Sequence, residues 1–191
     1  MLQRFAIAEL PLSPWKNGGG STREIVCRPE GAGMDGFDWR VSIATIAQAG
    51  PFSAFAGVDR VIMLLAGDGV RLRSASGIDH PLNQHHVPFA FAGDEALNGT
   101  LLGGPSTDLN VMTRRGVLRA EVSVLRAPTT LPTALRGLLL VLRGRWQLPG
   151  APLCSADQGL WWDGSAHGGP AWPLDEDAAL VWVRLIEEQA Q

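Results

Sequence analysis

The segment Trp15-Lys16-Asn17-Gly18-Gly19-Gly20-Ser21-Thr22-Arg23-Glu24 carries the densest set of groups able to hold an anion. Three consecutive glycines permit positive φ and close backbone approach, so several N–H groups can converge on one negative charge. Lys16, the only lysine in the chain, adds a compact positive charge beside them. Asn17 and Thr22 offer hydrogen bonds, and Arg23 can grip a carboxylate with two parallel donors. The order is not that of a nucleotide-binding P-loop, because the lysine precedes the glycines instead of following them. Without a ligand, the same residues read as a glycine-rich turn entering a strand.

Strand alternation adds further candidates. In Trp39-Arg40-Val41-Ser42-Ile43-Ala44-Thr45-Ile46, Arg40 and Ser42 share one face while Val41 and Ile43 share the other. Asp108, Asn110, Met112 and Arg114 likewise fall on one face of a second strand, opposite Leu109, Val111 and Thr113. Turned inward, these polar sets would line a pocket rich in guanidinium and amide groups, suited to a small acid. Turned outward, they would be ordinary solvated positions.

Metal and covalent chemistry find little footing. His85 and His86 are adjacent, so on a strand they would point to opposite faces and could not share one ion. There is no His-x-His, and His167 has no second ligand nearby in the sequence. His80, His85 and His86 are expected in a polar loop, and no metal or cofactor is expected. Ser53 in Gly50-Pro51-Phe52-Ser53 lacks the GxSxG context of a nucleophile elbow. Were the protein an enzyme, Asp108 or Glu24 would be the evident general bases.

The elements that must position these groups are mostly short strands. Val61–Leu65 stops at Gly67-Asp68-Gly69, a hairpin signal, and alternation resumes over Val70–Arg73. Residues 129–137 could form one or two helical turns, and Glu176–Gln191 reads as a strand followed by a frayed tail. Frequent Gly and Pro between strands predict an all-β sandwich or barrel. The stretch Arg60–Leu72 is echoed by Arg136–Leu148, which suggests two similar halves, 1–126 and 127–191, fused without a flexible linker. Trp161, Trp162, Trp172 and Trp182 are core candidates, or else an interface.

With 46% hydrophobic and 18% charged residues the chain is globular rather than disordered. A net charge of −3 gives no basic field for nucleic acid or anionic lipid. The most apolar run, Leu138–Leu142, is too short to cross a membrane as a helix. The first residues lack a sustained apolar core for a signal peptide, and Cys27 and Cys154 have no metal spacing, so a cytoplasmic location is expected.

Five segments, in this order, resemble the HutD/Ves family. They are Trp15–Glu24, Trp39–Ala44, Gly50–Ser53 with Gly57–Arg60, Pro88–Asp94, and Asp108–Arg115. The match spans roughly residues 1–125, and its opening motif is the most specific. The resemblance implies a cupin-like double-stranded β-helix, or jelly-roll barrel, in bicupin form and often dimeric. It also implies an association with histidine utilisation, with N-formylglutamate or urocanate as candidate ligands; Ves-type members have a stress-linked association instead. The family's polar positions fall here on Lys16, Asn17, Thr22, Arg23, Arg40, Ser42, Arg60, Asn110 and Arg114, to which Trp15 is added as a ligand contact. The expectation is a non-enzymatic, homodimeric binder of a small anionic metabolite, with a metal-free isomerase or hydrolase of a small carboxylic acid as the alternative.

Overall fold

The computed structural model describes residues 1–188, and its strands pair antiparallel throughout. Apart from a 3-10 turn at Ile7–Glu9 and a single helical turn at Gly33–Gly36, the regular structure is all β. Among the described residues, no helix is long and apolar enough to cross a membrane.

The chain forms two compact units. One is Pro11–Arg119 with Glu188; the other joins Met1–Leu10 to Ala120–Glu187. The crossings therefore lie at Leu10–Pro11, Arg119–Ala120 and Glu187–Glu188, whereas the halves expected from the sequence meet once, at 126/127.

In the first unit a six-stranded sheet runs Leu12–Pro14, Gly20–Arg28, Trp39–Ile46, Ser106–Arg114, Val58–Ala66, Pro88–Ala92 in spatial order. A four-stranded sheet of Gly50–Pro51, Leu97–Leu101, Val70–Ser74 and Asp79–Leu82 accompanies it. Ile46, Ile62 and Leu64 of the larger sheet share one buried cluster with Val70, Leu72, Leu82 and Leu97 of the smaller. Fully burying each such side chain is worth about 1.5–3 kcal/mol, and this contact holds the sheets together. The segment Gly67-Asp68-Gly69 does not close a simple hairpin, because Val58–Ala66 and Val70–Ser74 lie in different sheets. Both glycines have φ near +90°, and a Cβ there would lie 2.4 Å from the Pro105 carbonyl or 2.0 Å from that of Leu82. They form a corner where the chain changes sheets.

The second unit is built on Thr129–Arg143, flanked by Gln158–Pro173 and Ala179–Glu187. Leu2–Ala6 adds to Gln158–Pro173, which brings the start of the chain into this unit. Trp146, Trp162 and Trp182 lie in its core, the last two stacked at 5.6 Å, whereas Trp172 is exposed. The helical turns considered for 129–137 are instead strand. Thr129, Thr130 and Leu131 pair directly with Ala171, Pro170 and Gly169, and β-branched threonines favour that conformation. The strand at the C-terminus is Ala179–Glu187, and the tail expected beyond Glu188 lies outside the described residues.

Candidate functional site

The first unit holds a cavity of about 740 Å³ on the inward face of its larger sheet. Register explains its lining. Arg40 lies opposite Met112, which lies opposite Arg60; Ser42, Asn110 and Ile62 form the next row; Ala44, Asp108 and Leu64 form the third. The polar sets defined by alternation thus face inward, except for Arg114 at its strand end.

Arg40 and Arg60 are 8% and 7% exposed, and they differ in how their charge is met. Arg40 donates from Nε to Glu24 Oε2 at 2.7 Å and from Nη1 to Ser42 Oγ at 3.1 Å, so it already holds a carboxylate. Arg60 donates to the Ser53 carbonyl at 3.0 Å and to Asn110 Oδ1 at 2.9 Å, both uncharged. Its Nε, fully buried, has no partner. The rings of Phe55 and Phe91 lie 5.4 and 5.0 Å from its guanidinium carbon and hold the plane by cation–π contact. Burial, with the positive charge of Arg40 nearby, draws the Arg60 pKa down to about 10, which still leaves it charged at neutral pH.

The glycine-rich turn closes another side of the cavity, but not as an open anion nest. Gly18 N–H donates to the Trp15 carbonyl at 3.0 Å, and Gly19 N–H donates to Asn17 Oδ1 at 3.0 Å. Those donors are spent within the turn, which is the ligand-free reading of the motif. A Cβ at Gly20 would lie 2.2 Å from the Thr45 carbonyl and 2.9 Å from the Trp15 ring, so the third glycine lets the turn lie against the sheet. Trp15 Nε1 donates to Thr22 Oγ1 at 2.8 Å, which fixes the indole on the cavity wall.

Eight of the ten expected site residues line the cavity: Trp15, Lys16, Asn17, Thr22, Arg40, Ser42, Arg60 and Asn110. Arg23 does not, because it alternates with inward-facing Thr22. Nor does Arg114, at the end of its strand, where it donates to the carbonyls of Phe37 at 2.9 Å and Asp35 at 2.8 Å. Its role is to hold the helical turn that carries Met34, itself a lining residue. The apolar wall of Met34, Phe52 and Phe55 was not read from the sequence as part of a site; the Gly50-Pro-Phe-Ser53 motif was the available signal. Ser53 contributes its backbone carbonyl to Arg60, not a nucleophilic hydroxyl.

Asp108 is wholly buried, and neither carboxylate oxygen has a hydrogen-bond partner. Burial alone raises its pKa to about 7. The charged donors facing the cavity are guanidinium and ammonium groups, which repel a metal ion and attract an acid. Among the described residues, no three His, Cys, Asp or Glu side chains group as a metal site would require.

The HutD family model matches residues 7–180. The chain belongs to the HutD family. Protein Ves of Citrobacter koseri is 45% identical over 167 residues, covering 87% of this chain and 85% of the relative. Among solved structures, a conserved protein of unknown function from Pseudomonas aeruginosa PAO1 superposes with a TM-score of 0.87 at 34% identity, covering 97% of this chain and 98% of that one. HutD from Pseudomonas fluorescens SBW25 superposes with a TM-score of 0.86 at 28% identity, covering 99% and 100%. An oxalate decarboxylase of Lactobacillus farciminis, at 10% identity and a TM-score of 0.65 over 96% of this chain and 88% of its own, shares the fold alone. This HutD-family chain thus has the all-β cupin fold in its bicupin form.

Proposed function

We propose that this HutD-family protein is a non-enzymatic, cytoplasmic receptor for a small anionic metabolite, acting as a homodimer to moderate histidine utilisation. N-formylglutamate and urocanate are the first candidate ligands. Support comes chiefly from Arg60, a buried guanidinium facing a cavity with no carboxylate to balance it. Burying an unpaired charge costs several kcal/mol, and a carboxylate ligand would offset that cost where Arg40 cannot, since Arg40 already holds Glu24. Lys16 at the rim and Asn17 beside it would meet remaining polar atoms, while Phe52, Phe55 and Met34 would cover the carbon skeleton. Two or three charge-assisted hydrogen bonds, each about 1.5–3 kcal/mol, are enough for micromolar affinity after ordering costs.

Isothermal titration with each acid tests this. Saturable binding to the wild type, weakened at least about tenfold (about 1.4 kcal/mol) in Arg60→Gln, is the expected result. Equal affinity in Arg60→Gln would remove the cavity from the account. A second reading, a metal-free enzyme acting on a small carboxylic acid, draws on Asp108, whose burial tunes it for proton transfer near neutral pH. Chemical change of the bound acid would favour that reading; recovery of intact ligand favours the receptor.

A further inference from the structure

A carboxyl group with no exposure and no donor on either oxygen needs an explanation in any folded protein. Asp108 lies in the row next to Ser42 and Asn110, on the same inward face. Ala44, directly opposite it, and Asn110, one inward step along the strand, both line the cavity. Asn110 in turn accepts from Arg60 at 2.9 Å. The carboxyl therefore sits one side-chain layer from the proposed anion site, on a rigid central strand.

The charged and titratable groups around it include His86, half-buried, whose backbone N–H donates at 2.9 Å to the carbonyl of Leu64, the residue opposite Asp108. The neighbouring strand Trp39–Ile46 offers Arg40, with Glu24 as its partner one strand further out, and Val58–Ala66 offers Arg60. Lys16 stands on the glycine-rich turn, and Asp68 lies at an exposed corner, where it accepts from Gly104 N–H. The facing sheet presents Val70, Leu72, Leu82 and Leu97 to the core; its Arg71, Arg73 and Asp79 pair at the surface, and His80 stacks on Phe89 at 3.7 Å. None of these groups hydrogen-bonds to an Asp108 carboxyl oxygen.

We propose that Asp108 is the proton-linked floor of the anion site, neutral whenever the cavity holds a carboxylate. The proposal rests on the receptor reading above. An ionised Asp108 would repel the incoming carboxylate across one layer of low-dielectric packing and would offset the positive charge of Arg60. A neutral Asp108 leaves that charge to the ligand. Binding above neutral pH therefore draws one proton from solvent onto an Asp108 oxygen, and no bond of the ligand changes. The sign follows: the ligand raises the Asp108 pKa above its free value of about 7, so affinity is full below pH 7 and falls as pH rises beyond it. The slope approaches about tenfold per pH unit.

The test is calorimetric titration of N-formylglutamate and of urocanate at pH 8 in two buffers of different ionisation enthalpy. At pH 8 ordinary histidines are neutral and both carboxyls of N-formylglutamate are ionised, so proton uptake reports on the protein. The wild type should take up close to one proton per ligand (about 0.9 for a group with pKa 7), and Asp108→Asn should take up none. Equal binding enthalpies in the two buffers for the wild type overturn the proposal without any variant having to fold. Uptake that persists in Asp108→Asn assigns the proton elsewhere and overturns it too. Failure of both acids to bind removes the receptor reading and this inference together, whereas binding without uptake removes this inference alone.

Discussion

Arg40 and Arg60 show how two identical side chains on one sheet face take different roles. Arg40 is neutralised by Glu24, while Arg60 is wedged between aromatic rings with neutral acceptors and an unsatisfied Nε. Asp108 is the complementary anomaly, and its effect on stability has a definite sign. Its folded pKa of about 7 lies above the ordinary aspartate value near 4, so between those pH values the folded state binds more protons than the unfolded state. Stability from this group therefore falls as pH rises from about 4 to about 7 and is flat above. Asp108→Asn removes the dependence. Thermal unfolding should show the variant gaining on the wild type across that window, by at most about 4 kcal/mol at pH 8. A difference independent of pH would mean that Asp108 titrates normally. Period-two alternation made it legible that Arg40 shares a face with Ser42 and Asp108 with Asn110, but not that those faces turn inward. It could not show which arginine lacks a carboxylate, because Glu24 reaches Arg40 across strands, nor that Arg114 turns at its strand end towards Phe37 and Asp35.

The glycine-rich turn and the long strand of the second unit mark what was readable among the elements and what was not. The turn is anchored by Gly20, where a Cβ would meet both the Thr45 carbonyl and the Trp15 indole. Gly20→Ala should displace the indole from Thr22 and lower stability by on the order of 1–3 kcal/mol, as overpacking does. Urea unfolding followed by tryptophan fluorescence measures this, and an unchanged midpoint would show that the turn yields without cost. Thr129–Arg143 misleads for a specific reason. Register shifts between Leu131 and Ala134, and again between Ala134 and Arg136, interrupt the alternation and leave Leu131, Ala134 and Leu138 buried at helix-like spacing. A bulged strand and a short helix then share one pattern, and only the partner strand, distant in sequence, decides between them.

For the molecule as a whole, the ordered motifs predicted the cupin fold and the family, both supported by the comparisons. The path between the units was not legible, since nothing in Leu2–Ala6 announces that it pairs with Gln158–Pro173 near the far end of the chain. The molecule carries many arginines, most of those with described partners meeting carboxylates at the surface, as Arg71, Arg115 and Arg145 do. Against that background Arg60, the cavity arginine that holds no carboxylate, should stand apart in the side-chain Nε–H spectrum of 15N-arginine-labelled protein, its resonance identified by its loss in Arg60→Lys. Titration with N-formylglutamate or urocanate should move the Arg60 signal progressively to saturation while the surface arginines stay in place. A ligand that binds and saturates with the Arg60 resonance unmoved would contradict the assignment of this cavity as the carboxylate site.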